Sequence, residues 1–179
     1  MKFEIPFNES IYRKQVAVYF NHAWKEHLKK NKRNFFWGIP AILFGGLAVY
    51  SDGNYGYAMI AIGLHYSIVG YNYYSYYKKS KKTYFDAINS EVTAQLAASE
   101  NMVWEFDETN FNFKYYLYEI KMKWESFIGY RLIDNILFLD MGEGNNASYI
   151  LSEDEIGNAD FIKVVDFVKE KIKPKIDYN

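Results

Sequence analysis

Three histidines, at positions 22, 27 and 65, are the side chains of this 179-residue chain best suited to proton transfer or metal binding, and there is no cysteine to join them. His22 and Glu26 stand one helical turn apart with His27 adjacent, which could offer two metal ligands. No third ligand is nearby, and a five-residue histidine spacing does not keep both rings on one helix face, so neither a metal centre nor a cofactor is expected. Gly142-Glu-Gly-Asn-Asn-Ala147 fits the pattern G-x-G-x-x-A. A dinucleotide fingerprint needs a helix to follow, whereas this run lies between strand-like segments and reads as a hairpin turn. Asn146-Ala-Ser148 spells a glycosylation acceptor, which the cytoplasmic side expected below makes irrelevant. No serine–histidine–acid or paired-carboxylate arrangement stands out, because the histidines all precede residue 66 and the acids scatter over polar faces. The chain therefore reads as a non-enzyme.

The elements that would have to position such groups show very uneven charge. Residues 1–33 hold eight basic and three acidic side chains, residues 34–77 hold only Asp52, residues 78–99 hold four lysines and two acids, and residues 100–179 hold nine basic against sixteen acidic. The formal net charge of −1 is a cancellation, so it marks no nucleic-acid binder, and the apolar content excludes a disordered chain. Two runs, Asn34–Ser51 and Gly53–Tyr77, contain no acid or base other than His65. Each has the length of a membrane-spanning helix, the first at the short end.

Lys25, Lys29, Lys30, Lys32 and Arg33 precede the first run, Lys78, Lys79, Lys81 and Lys82 follow the second, and the connecting SDGNYG carries no base. This is the positive-inside pattern of a transmembrane hairpin with both termini cytoplasmic. Phe36, Trp37, Tyr71, Tyr73, Tyr74, Tyr76 and Tyr77 suit the inner interface, and Tyr50, Tyr55 and Tyr57 the outer one. The apolar run begins too late for a cleaved signal peptide. Two readings follow for the bases: topology determination, or a lipid-headgroup collar of Lys29, Lys30, Lys32, Arg33, Lys78, Lys79, Lys81 and Lys82. Ala41 with Gly45, and Gly63 with Ser67, repeat at four-residue spacing and predict close packing of the two helices. His65 is the one ionisable residue near the middle of an apolar run, a candidate polar lock or proton-relay member.

Phe3, Ile5 and Phe7 alternate as an edge strand, and Asn8 is placed to cap an amphipathic helix through Tyr12, Val16, Phe20 and Trp24. Phe85, Ile88, Val92 and Leu96 predict a helix from about Lys79 to Ala98. From Met102 the period falls to two, with turns at Asp107–Asn110, Asp134–Asn135 and Gly142–Asn146, so antiparallel strands are expected. Asn158 is then placed to cap a closing helix with Phe161, Val164, Val165, Val168 and Ile172 inward, ended by Pro174. The expected fold is an α+β membrane protein: a two-helix transmembrane hairpin inserted into a cytoplasmic antiparallel sheet with a C-terminal amphipathic helix. Its divisions are residues 1–33, 34–77 and 78–179. The sheet and closing helix resemble a pleckstrin-homology-like roll, which implies binding surfaces more than chemistry.

The opening KFEIPF with its helix, the base-flanked hairpin, the block YEIKMKWESFIGYRLIDNILFLDM and ASYILSEDEI ahead of the last helix together resemble the YcxB-like family of bacterial membrane proteins. Trp124, Ile136–Leu139 and Ile150 match the family's blocks, whereas Ser152 and the acidic SEDE stand where relatives tend to carry a proline or a base. The resemblance implies a small inner-membrane protein with a cytoplasmic domain and carries over no catalytic residue. The expected function is binding of a protein or regulatory partner by that domain. The alternative is an immunity protein, its acidic domain complementing a basic toxin or effector that acts at the membrane; a transporter or enzyme component using His65 comes last.

Overall fold

The computed structural model describes residues 1–142 and 148–174, so the run from Gly142 to Ala147 and the acceptor Asn146 fall largely outside the described residues. The chain forms two compact units, one made of Met1–Val18 with Ile88–Asn179 and the other of Tyr19–Ala87. The first unit is thus discontinuous in sequence. It holds β1 (Lys2–Ile5), the first turns of α1 (Glu9–Tyr50) and the last turns of α2 (Tyr55–Ala98). After these come β2 (Met102–Phe106), β3 (Asn110–Tyr115), β4 (Tyr118–Lys123), β5 (Phe127–Ile133), β6 (Ile136–Met141), β7 (Ser148–Ser152), α3 (Glu153–Ile156) and α4 (Asn158–Lys171).

The strands make two antiparallel sheets, β1-β2-β3-β4 and β5-β6-β7. Period-two burial puts Met102, Trp104, Phe106, Phe111, Phe113 and Tyr115 inside, with the charged and amide side chains between them turned outward. Rings carry much of this core: Trp104 lies 5.0 Å from Phe113, and Tyr149 lies 5.1 Å from Phe111, at edge-on angles that suit their quadrupoles. Trp124 is buried while its indole N–H donates to the Asp107 carbonyl at 2.9 Å. The inward face of α4, Phe161, Val164, Val165 and Val168, closes the core as its spacing predicts.

Local chemistry explains the ends of these elements. The Asn8 side-chain oxygen accepts from the backbone N–H groups of Ser10 and Ile11, capping α1. Asp134 and Asn135 both take positive φ, the two-residue turn whose twist matches a β5–β6 hairpin. In α2 the buried position expected of Leu96 belongs to Gln95, whose amide donates to the Glu100 carbonyl, and Leu96 is exposed. Asn158 is the first residue of α4 and not its cap; Gly157, at φ 80°, caps the helix.

The second unit is an antiparallel helical pair. The four helices expected before residue 99 merge pairwise into two, of 42 and 44 residues, because nothing between Leu28 and Asn34 or between Tyr77 and Lys82 breaks a helix. Pro40 lies well inside α1 and removes the bond to the Phe36 carbonyl. Asp52 adopts φ 59° and Gly53 N–H returns to the Ala48 carbonyl at 2.8 Å, a left-handed cap that ends α1 and starts the turn back.

The structure does not support a membrane-spanning hairpin. No helix among the described residues is long and apolar enough to cross a membrane. Length is not the deficit. Asn34, Gly38, Pro40, Gly45 and Gly46 dilute the first run, and Asn72, Ser67, Ser75, His65 and its many tyrosines dilute the second. Lack of charge is not low polarity, since amides, hydroxyls and bare glycine backbone all lose water contacts in lipid. The transmembrane hairpin, the inner-membrane location with both termini cytoplasmic and the assignment of aromatic residues to two interfaces therefore lose their basis.

Close packing is what the small residues achieve instead. A Cβ on Gly63 would lie 2.6 Å from Ile42 and 2.7 Å from the Gly38 carbonyl, one on Gly45 2.8 Å from the Gly56 carbonyl, and one on Gly70 3.0 Å from the Phe35 ring. Gly46, by contrast, faces open space. Replacing Gly63 with Ala is therefore expected to destabilise the hairpin by about 1–3 kcal/mol through overpacking. In a single copy, at a chain concentration too low for self-association, Gly46→Ala should stabilise it by about 0.5–1 kcal/mol through helix propensity. Urea unfolding followed by circular dichroism at 222 nm checks the opposite signs.

Candidate functional site

The first unit carries twelve basic and nineteen acidic side chains, a net of −7. Between its β5–β6 hairpin and α4 runs a groove of about 250 Å³. Leu132 of β5 and Ile162 of α4, each about half exposed, flank it above the buried Phe161 and Val165. Glu153, Asp166, Asn135, Asn158 and Lys169 supply its polar lining. Asn135 and Asn158 both donate their side-chain amides to the Glu153 carboxylate, at 2.6 and 3.0 Å, and Lys169 reaches Asp166 at 2.9 Å. The lining is thus an apolar strip between fixed acids.

Two further contacts hold this strip in place. Ser152 and Glu155 make a capping box: the Glu155 carboxylate accepts from the Ser152 backbone N–H at 2.7 Å, and Gln15 of α1 donates to it at 2.5 Å. The acidic SEDE is therefore a helix start, readable as S-x-x-E, and it sets Glu153 beside the groove. Behind the groove, Arg131 of β5 pairs with buried Asp140 of β6 through two bonds of 2.7 Å, and the Ser148 hydroxyl donates to the same carboxylate. This pair fixes β5 against β6, and with it Leu132.

A second, more open cleft lies on another side of α4, lined by Asp107, Glu108, Lys163, Asp166, Phe167 and Glu170. Elsewhere in this unit the Glu91 carboxylate accepts from the phenols of Tyr12 and Tyr115, at 2.8 and 2.9 Å. Burial and then the Glu91 bond push the Tyr115 phenol well above its ordinary value, and burial raises Tyr149 to about 12. Both stay neutral and serve as hydrogen-bond donors or packing surface.

The residues singled out from the sequence lie in the other unit. His65 is exposed on α2, its ring 5.9 Å from Tyr66, so it points away from the helix seam. His22 is half-buried, and Glu26 and His27 are exposed. No group of three His, Asp or Glu among the described residues could hold a metal ion. Gly45, Gly63 and Ser67 do meet in the seam, together with Gly38, Gly56 and Gly70, and Ala41 is half-buried at its margin. Gly63 and Ser67 are four apart in the seam, and the glycines themselves repeat every seven residues, a repeat hidden because glycine does not register as hydrophobic. Lys30 and Arg33 share a pocket of about 290 Å³ with His27, Asn31, Asn34, Val69 and Tyr73. Lys29, Lys32, Lys79, Lys81 and Lys82 are exposed, and Lys78 sits 5.0 Å over the Tyr74 ring. With no span to flank, these bases form no collar set by membrane topology.

Comparison of the chain with protein-family models, with curated proteins and with solved structures finds no match. The groove's chemistry is the guide to function.

Burial outweighs the hydrogen bonds received by Glu155 and holds its carboxyl above the ordinary 4.5. A carboxyl raised in the folded state favours folding below the unfolded value and loses that contribution as pH rises through the folded one. The stability of the native chain should therefore fall, relative to Glu155→Gln, as pH rises from about 4.5 towards neutrality. Urea midpoints of both proteins across that window measure the difference, and parallel profiles would show that Glu155 is not buried as described.

Proposed function

We propose that this protein is a binding module, not an enzyme, whose acidic unit takes a basic, partly apolar segment of a protein partner in the groove between β5 and α4. The observation that carries the reading is the half exposure of Leu132 and Ile162 on opposite walls of one groove, in a unit with net charge −7. Aliphatic side chains so placed gain by excluding water from a partner's apolar residue, while Glu153, bonded only to neutral amides of Asn135 and Asn158 in the groove, favours a cation beside it. Attraction by the whole unit speeds encounter with a basic partner, and the apolar strip slows release. A basic toxin or effector is one partner class that this charge suits.

The test is a titration of the isotope-labelled chain with a short peptide alternating leucine and lysine, followed by amide chemical shifts. Shifts should centre on Leu132, Asn135 and Ile162, weaken with added salt, and weaken at least about tenfold in Ile162→Asp, which places a charge in the apolar strip. Equal binding of a leucine–glutamate peptide, or shifts centred away from the groove, would overturn the reading.

A further inference from the structure

The glycine seam accounts for one side of each long helix in the Tyr19–Ala87 unit and leaves exposed apolar residues on two others, Trp37, Phe44, Tyr55 and Ile62 lying on the one that lacks Gly46. On α1 the exposed residues Phe36, Ile39, Leu43, Gly46 and Tyr50 recur at intervals of three and four. On α2, Tyr57, Ala61, Leu64, Ile68 and Tyr71 do the same. Alternating steps of three and four are the mark of a stripe that packs against another helix. Neither stripe contains a charged residue.

Their placement makes one surface of the two. Ile39 and Gly46 follow the seam glycines Gly38 and Gly45, and Tyr57, Leu64 and Tyr71 follow Gly56, Gly63 and Gly70. One residue is a turn of about 100° around a helix. In an antiparallel pair the same rotation from the shared seam brings both stripes to the same side, because the pair has an approximate two-fold axis through that side. Gly46 adds an independent sign. A glycine inside a helix costs about 1 kcal/mol relative to alanine, and nothing within its own hairpin lies within 4 Å of where its Cβ would be.

We propose that this face joins a second copy of the chain, two hairpins forming a four-helix bundle. The eight large side chains of the stripes are 48–90% exposed. At roughly 100 Å² each they offer on the order of 800 Å² per copy, which is what each partner of a stable, specific interface contributes. A contiguous apolar patch of that size exceeds what a monomer ordinarily presents to water. A charged partner finds nothing on the stripes to pair with, whereas a helix pair with the same three-four repeat can interdigitate with them, and the chain itself provides one.

Sedimentation equilibrium of the full chain at micromolar concentration should give twice the chain mass. Leu43→Glu combined with Ile68→Glu changes two exposed residues, so helical circular dichroism should persist while the dimer dissociation constant rises by roughly a hundredfold or more. A second readout needs no variant. Tyr71 on the proposed face should be protected from tetranitromethane at high concentration and labelled on dilution, while Tyr76, equally exposed in one copy but one residue before the seam position Tyr77, is labelled throughout. A monomer, an open series of larger assemblies, or labelling of Tyr71 that ignores concentration would each overturn the proposal.

Discussion

Four residue pairs between β1 and β2 govern how the rest of this chain can be arranged. Lys2 lies opposite Glu105 and Ile5 opposite Met102, so a strand at the very start is zipped to one nearly a hundred residues later. The Met1 ammonium donates to the Phe106 carbonyl and the Phe106 amide returns the bond to Met1, both at 2.8 Å. A chain that leaves a sheet at Ile5 and rejoins it at Met102 must come back to where it began. Two antiparallel helices of nearly equal length, 42 and 44 residues, satisfy that requirement. Closing so long a loop has a large entropic cost, offset within the same unit by Ile5, Val16, Ile88 and Val92 going into the interior and by Tyr12 bonding to Glu91.

The hairpin between these ends solves its packing by close approach. Glycine at every seventh position lets backbones meet where side chains would hold them apart, and the large apolar residues are displaced to outward faces. The acidic unit solves a different problem. Its rings fill the space between two sheets, α4 covers the core, and the hairpin β5–β6 with its bound arginine stands beside that helix to leave a groove. Opposite net charges, −7 and +6, go with these two tasks and nearly cancel in the whole chain.

Much of the strand and helix pattern was legible in the sequence because it rests on local periodicity. Trp104 and Phe106 alternate with Val103 and Glu105, Asp134–Asn135 spells its own turn, and Phe161, Val164, Val165 and Val168 recur at the helical period. The two sheets and the way helices interrupt the first were not local, since nothing within KFEI names MVWEF as its neighbour. In the hairpin, lack of charge imitates a lipid-compatible run, although asparagine, tyrosine, glycine and proline interrupt the apolar residues. The groove is not legible for a related reason: nothing local to Leu132 or Ile162 says that the two stand on opposite walls of one groove. The serine–glutamate pair at Ser152 and Glu155 did carry a readable signal, that of a capped helix.

The most direct test of this account is a cross-link between β1 and β2. Lys2 and Glu105 face each other at a position between ladder hydrogen bonds, where antiparallel side chains approach most closely, and the chain has no cysteine of its own. With Lys2→Cys and Glu105→Cys together, the structure predicts a disulfide that forms in the folded protein under air or mild oxidant. It should raise unfolding stability by up to about 4–5 kcal/mol, as closing a loop of roughly a hundred residues does. Thiols that stay free in the folded chain and pair only after denaturation would show that the first strand lies elsewhere.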